Sequence, residues 1–342
     1  MSTSPESVSQ LDNLLSEPDA GVLSVVGGTT GEFIVLGAGG KMGFHVCRML
    51  QRSLEAAGRS YPIVAVSRFG DLPTRKKFEQ AGFDVRAVDL SDRTQLSGLP
   101  DAANVINLAG VKFGTQGRPE LLQRLNVEMP KLIAERYRDS RIVALSTGCV
   151  YSFVTPESGG STEESRTEPS GAYARSCLGR EQAFIDAAER WGTCSSLIRL
   201  NYSIDLRYGV LVDIAQKVLA GDPIELSMGY ANIIWQRDAI SHIIQTLPHS
   251  SASPFVINVT GAEIVRIRDV AKACGRRCGR DVTLTGSEAP TAWLSNAEKS
   301  HRLFGVPATS TEQMIEWTAA WLQRGGQTLG KPTHFETRDG EY

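Results

Sequence analysis

From about Glu32 onward, short apolar runs alternate with amphipathic stretches, and this repeat constrains the fold of the chain more than any other feature. "FIVLGAGG" is an apolar run that ends in glycines. "KMGFHVCRMLQRSLEAAG" follows it with a helical apolar period and a closing glycine. "PIVAVSR", "FDVRAVDL", "ANVINLAG", "RIVALST" and "SLIRLNY" continue as strands, with a long helix expected near 117–137 and another over 171–190. Strands that are apolar throughout need cover on both faces, which implies a parallel sheet between two helical layers. On this pattern 1–30 is an N-terminal extension with an amphipathic piece around Leu11–Leu15, and 31–204 is the main α/β unit. Residues 205–342 are less regular. "LVDIAQKVLAGDPIEL", "NIIWQRDAISHIIQTL" and "PFVINVTG" are expected to complete the sheet and form a small cap.

The segment "GAGGKMG" stands at the first strand–helix turn, with Gly37, Gly39, Gly40, Lys41, Met42 and Gly43. Glycines there allow a tight turn and close approach of backbone to a phosphate, and the helix N-terminus offers free N–H groups and a favourable dipole. The expectation is therefore a Rossmann-type doubly wound parallel sheet that binds a dinucleotide in its 31–204 unit, with a C-terminal substrate-binding cap. An acid at the tip of strand two would grip a free ribose hydroxyl, but this chain has Ser67-Arg68. Arg68 suits a 2′-phosphate or stacks on adenine, so NADP is preferred and NAD is the alternative; an ordinary solvated arginine is the competing reading. Asp89-Leu90, after strand three, would flank the adenine.

Charge excludes other classes. With 36 basic and 38 acidic side chains, and no block of one sign, neither nucleic acid nor a membrane surface is an expected partner. "MSTSPESVSQ" lacks the basic start and apolar stretch of a secretory signal, which points to the cytoplasm. Six cysteines show no zinc spacing, so no metal is expected.

These motifs together resemble the extended short-chain dehydrogenase/reductase family, which includes the NAD-dependent epimerases and dehydratases, over about residues 32–325. Gly37, Gly40 and Gly43 match its GxxGxxG spacing, and "NLAG" (Asn107, Leu108, Ala109, Gly110) its segment after strand four. Asn126, Arg199, Asp238 and "NAEKSHRLFG" match later positions. "STGCVY" matches the serine/threonine segment with Thr147 at the catalytic position, and Tyr173 matches the catalytic tyrosine. The resemblance implies that Tyr173 exchanges a proton with the substrate oxygen, that Thr147 hydrogen-bonds it, and that the substrate is small, a carbohydrate or nucleotide-sugar-like molecule. It also implies a homodimer built from the helices after strands four and five.

Two departures stand out. The family's lysine, four residues after the tyrosine, is Cys177 here, and the family's Gly-Pro after strand six is replaced by "NYSIDLRYG". A neutral thiol neither lowers a tyrosine pKa nor holds a ribose. One reading relocates the cation, to Lys112 first and to Arg180 second. Another changes the chemistry. The third makes the protein a non-catalytic NADP-binding sensor or scaffold. Gly148-Cys149 stands where family dehydratases resemble one another in having Asp-Glu, which disfavours elimination of water. A cysteine at 149 instead resembles the epimerase subgroup, where a thiol exchanges a proton beside a transient ketone; packing against the sheet is the alternative. Alternation along the strand would turn Thr147 and Cys149 to the same side. Arg207, Lys217, Arg266 and Arg268 are candidates for a substrate phosphate or carboxylate, or are solvated.

Overall fold

The computed structural model describes residues 4–340. Seven parallel strands form one sheet: β1 (Phe33–Leu36), β2 (Ile63–Ser67), β3 (Asp84–Ala87), β4 (Asn104–Asn107), β5 (Arg141–Thr147), β6 (Cys194–Leu200) and β7 (Phe255–Val259). Their order is β7-β6-β5-β4-β1-β2-β3. The central strand shows why the sheet is covered twice. Phe33 and Val35 enter one apolar cluster with the helices Gly43–Ala56 and Gln236–Gln245, while Ile34 and Leu36 enter another with Met129–Arg136 and Gly171–Trp191. All four side chains are fully buried, each contributing about 1.5–3 kcal/mol. The chain order reverses between β1 and β4, so the cleft opens where the β1 and β4 loops diverge, at the carboxyl ends of the strands.

The first thirty residues form two helices that pack into the body. Ser7 caps Val8–Leu15 by accepting from the Gln10 amide, and Asp19 caps Ala20–Gly28 through the Val22 amide. Leu11 and Leu15 lie among Ile204, Trp317 and Trp321; Val22 and Val26 pack beside β1 and β7. Asp12 fixes the first helix. It accepts from His45 at 2.8 Å, Lys77 at 2.5 Å and Arg207 at 3.0 Å. Burial opposes its charge, yet the His45 and Lys77 hydrogen bonds hold the carboxyl far below the usual range. The Gln236 side chain donates to His45 Nδ1 at 2.9 Å, leaving Nε2 to donate to Asp12.

The long helix expected near 117–137 is broken in register. Pro119–Leu122 is α-helical, Gln123–Glu128 is a π-helical turn, and Met129–Arg136 is α-helical again. Beyond β6 the chain adds four larger helices, Val210–Ala220, Gln236–Gln245, Ile267–Cys278 and Thr311–Gln323, with three two-stranded pairings. Among the described residues, no helix is long and apolar enough to cross a membrane.

Candidate active site

The glycine turn is built by sterics. Gly37 has φ +79°, and a Cβ there would sit 2.7 Å from the Ala109 backbone nitrogen. At Gly43 a Cβ would meet the Ala38 carbonyl oxygen at 2.2 Å, so only glycine lets the helix start this close to β1. That helix has no side-chain cap at its N-terminus, and its Gly43 amide turns back to the Gly40 carbonyl at 3.3 Å, so the positive end of the helix dipole faces the turn where a phosphate would sit.

A cavity of about 300 Å³ opens beside this turn. The sequence candidates Gly37, Gly40, Lys41, Met42, Gly43, Leu108, Gly110, Lys112, Thr147, Cys149 and Tyr173 all line it. Ala109, Asn126 and Cys177 are buried and do not line it, while Gly39 is exposed beside Ser67, where a Cβ would lie 2.7 Å from the Ser67 hydroxyl. Ser67, Arg68, Asp89 and Leu90 lie outside it, at the tips of β2 and β3. There Arg68 is exposed and Leu90 buried. The Asp89 carboxyl is held below its usual value by Ser91 hydrogen bonds, with a smaller contribution from Arg68.

Tyr173 is on the first turn of Gly171–Trp191, facing the cavity. Burial raises its hydroxyl well above the ordinary value, the adjacent Cys177 adds to the rise, and Arg180 opposes it. Cys177 is wholly buried and hydrogen-bonded to Tyr173, and its thiol is itself raised by burial. Thr147 ends β5. Its Oγ1 accepts from the Cys149 amide at 3.2 Å, closing a 3₁₀ turn over Gly148–Val150. The expected strand alternation between Thr147 and Cys149 is therefore corrected: the strand has ended, and it is the turn that carries Cys149 to the cavity wall.

Cations surround the site. Arg180 lies two helical turns beyond Tyr173, on the same face, and is buried. It donates to the Leu145 carbonyl at 3.0 Å and to Asn126 Oδ1 at 2.6 Å, while its Nε has no partner among the described residues. The π turn is what brings Asn126 inward; its amide also bridges both backbone groups of Val111 and the Ser176 hydroxyl. A Cβ on Gly110 would strike the Arg180 guanidinium at 2.2 Å, so the glycine makes room for it. Lys112 stands 5.6 Å from the Tyr173 ring centre. Burial lowers its pKa, and Cys149 and Cys177 work against that. Lys41 reaches across the cleft to donate to the Ser203 carbonyl at 2.6 Å and lies 4.4 Å over the Tyr208 ring; burial draws it down to about 8. Three basic side chains thus face the cavity, and none of the described residues lining it is acidic.

Beneath this layer, Arg199 forms a two-pronged buried pair with Glu181, whose carboxylate also accepts from Ser146 at 2.5 Å. The pair ties β5, β6 and the tyrosine helix together. Asp238 is used structurally, accepting from Arg237 and from the Thr309 amide. The four cations considered for a substrate anion are paired inside the protein: Arg207 with Asp12 and Asp205, Lys217 with Glu336, and Arg266 and Arg268 with Glu288. Sequence reasoning missed Asn201, Tyr202, Tyr208 and Thr333 in the lining. Tyr202 has φ +33°, a strained position that no spacing in the sequence signals.

The residues fit a dinucleotide. The glycine cradle, the helix start without a side-chain cap and the basic lining of Lys41, Lys112 and Arg180 suit an anionic, oxygen-rich ligand. The sheet order, this turn and the tyrosine helix define a nucleotide-cofactor enzyme of the doubly wound class. The model of the NAD dependent epimerase/dehydratase family matches residues 33–204, and the chain belongs to that family. Solved structures agree on the fold. A UDP-glucuronic acid 4-epimerase from Bacillus cereus in complex with NAD superimposes with TM-score 0.72 and 17% identity, over 86% of this chain and 99% of that one. A UDP-galactose 4-epimerase gives 0.68 and 20% over 86% and 99%, and the UDP-glucose 4-epimerase of Thermus thermophilus, in complex with NAD, gives 0.69 and 18% over 85% and 99%. No curated protein sequence matches the chain.

Proposed function

We propose that the protein is an NAD(P)-dependent oxidoreductase or epimerase acting on a carbohydrate or nucleotide-sugar-like substrate. The observation that carries this reading is the convergence of Thr147, Cys149 and Tyr173 on one cavity with the glycine turn. Gly37, Gly40 and the amides that open the helix at Gly43 would hold the pyrophosphate, with Arg68 and Asp89 towards the adenosine end. When bound, the nicotinamide supplies hydride transfer to or from the carbon bearing the reacting oxygen. Thr147 Oγ1 and the Tyr173 hydroxyl hold that oxygen. Tyr173 gives its proton to the oxygen as the carbonyl is reduced, and takes it back as the alcohol is oxidised. In an epimerisation, the Cys149 thiol exchanges a proton on the carbon beside the transient ketone.

The cation assignment changes from the sequence expectation. Arg180 replaces Lys112 as the first candidate, because it is buried on the tyrosine's own helix face and opposes the rise of the Tyr173 hydroxyl. Lys112, beside both thiols, is assigned to an anionic group of the substrate. NADP is the preferred cofactor, since Arg68 stands where an acid would repel a 2′-phosphate. The helices 119–136 and 171–191 form the homodimer contact, and the cytoplasm is the expected compartment.

Titration of the protein with NADPH and NADH by calorimetry tests the cofactor reading. Arg68→Asp should weaken NADPH by about 1–3 kcal/mol and spare NADH; an unchanged preference removes Arg68 from the site. Binding of NADPH with no change in its absorbance across a panel of oxidised sugars and nucleotide sugars would favour the sensor reading.

A further inference from the structure

Residues 327–340 contain no helix or strand, yet almost every part of this segment is tied down. The Leu329 amide donates to the Arg207 carbonyl at 2.9 Å. Thr333 donates twice to Asp213 Oδ2, at 2.8 Å from its amide and 2.5 Å from its hydroxyl. Phe335 is buried in the cluster that holds Leu11, Ile204 and Trp317, and Lys217 pairs with Glu336 at 2.6 Å. These contacts are to the C-terminal wall of the cleft. The segment then crosses to the other wall. The His334 ring lies 6.1 Å from Phe113, in the loop that carries Lys112. The Arg338 guanidinium sits 4.3 Å over Phe153 and donates to the Thr291 carbonyl and hydroxyl at 2.7 and 2.9 Å. Gly340 packs against Gly171, at the start of the tyrosine helix, so closely that a Cβ on Gly171 would lie 2.7 Å from the Gly340 Cα. Between these anchors Thr333 forms part of the cavity wall, and His334 is held at φ +53°.

Such a path bridges both walls of the cleft. It leaves a cavity of about 300 Å³, the lower end of the range that accommodates one drug-sized ligand. A nicotinamide and a nucleotide-linked sugar need more space than that. We propose that residues 327–340 form a strap over the substrate half of the cleft, closed in this structure, which lifts to admit a ligand of nucleotide-sugar size. The inference rests on the reading of this cavity as the cofactor and substrate cleft. Thr333 and Arg338 are its latches. Arg338 is held through neutral groups: the Thr291 and Ser227 carbonyls, the Thr291 hydroxyl, the Met228 sulfur and, across the cleft, the Phe153 face. Thr333 leaves a partly buried Asp213 without its two hydrogen bonds when it moves.

Cys149 reports the opening without any ligand, because it lines the cavity and is buried. Its labelling by 5,5′-dithiobis(2-nitrobenzoate) is followed by peptide mass mapping in the wild type, in Arg338→Ala, and in a chain ended after Gly326. Labelling tracks the population of the opened form, so Arg338→Ala should speed Cys149 at least about tenfold and the shortened chain more, with the partly exposed Cys194 and Cys278 unchanged as internal controls. Equal Cys149 rates in the wild type and Arg338→Ala overturn the strap. Arg338→Ala keeps Phe335 in the core, so it decides the matter even where the shortened chain does not fold. UDP-glucose then serves as the probe of size. Faster association in Arg338→Ala than in the wild type supports the strap as its gate. Faster Cys149 labelling with no UDP-glucose binding by any variant upholds the strap and overturns the substrate reading instead.

Discussion

Replacing Arg180 with methionine separates the tyrosine's cation from its neighbours. Tyr173 and Arg180 are seven residues apart on one unbroken helix. At about 1.5 Å per residue the separation along the axis is roughly 10 Å. At an effective dielectric of about 20, a unit charge at that distance favours the tyrosinate by about 1.7 kcal/mol, or roughly one pH unit. Among the described residues Arg180 has no carboxylate partner, only the Leu145 carbonyl and Asn126, and Asn126 Oδ1 keeps its bond from the Val111 amide when the guanidinium is gone. The fold therefore loses two charge-assisted hydrogen bonds and is relieved of a buried unpaired cation, so the melting temperature should change little. The catalytic effect should be large. With the Tyr173 hydroxyl already raised by burial, oxidation of the alcohol speeds up as pH rises towards its pKa. In Arg180→Met that limb of kcat/KM should move up by about one pH unit, leaving the rate about tenfold lower at each pH below it. Arg180→Lys keeps the charge and should hold the limb near its original place. The measurement is kcat/KM for oxidation from pH 7 upward, in wild type, Arg180→Met, Arg180→Lys and Lys112→Ala. A limb that stays put in Arg180→Met and moves in Lys112→Ala would refute the reasoning and return the role to Lys112.

Three further outcomes are expected. Asp12→Asn removes the acceptor shared by His45, Lys77 and Arg207 and should cost about 2–4 kcal/mol at neutral pH; because the carboxyl is lowered in the fold, this gap from wild type is full above about pH 4 and closes as the pH falls further, which thermal melts at pH 7, 4 and 2.5 would show. Cys149→Ser should retain hydride transfer and lose deuterium incorporation into the sugar in D₂O by NMR; equal incorporation in both proteins would return Cys149 to packing. Gly43→Ala drives a methyl into the Ala38 backbone, which should cost about 1–3 kcal/mol in melts and weaken NADPH and NADH alike by calorimetry; a loss confined to one nucleotide would contradict the cradle.

The π turn at Gln123–Glu128 shows where the pattern of the chain stops being informative. "PELLQRLNVEMPKLIAER" has a sound helical period, and nothing in it announces that a single widened turn will bring Asn126 to Val111 and Arg180. Lys112 and Arg180 are both visible in the sequence as cations near Tyr173. We rank Arg180 first because it shares the tyrosine's helix face, a relation that the loop position of Lys112 does not have. The N-terminal segment reads as an extension from its composition, yet Asp12 gathers partners from positions 45, 77 and 207.

The apolar strands, the glycine turn and the spacing of Thr147, Tyr173 and Cys177 are legible in the sequence alone, because each depends on local rules: backbone sterics, strand burial and helical period. The covered sheet and the candidate nucleotide turn follow directly from them. Only the tertiary structure decided that Lys41, Lys112 and Arg180 gather at one cavity with Tyr173, how Cys149 reaches its wall, and that a segment beginning at 327 runs between residues on both sides of it. These are contacts between groups far apart in the chain. Their energies depend on burial and on mutual distance, and neither quantity exists until the chain has folded.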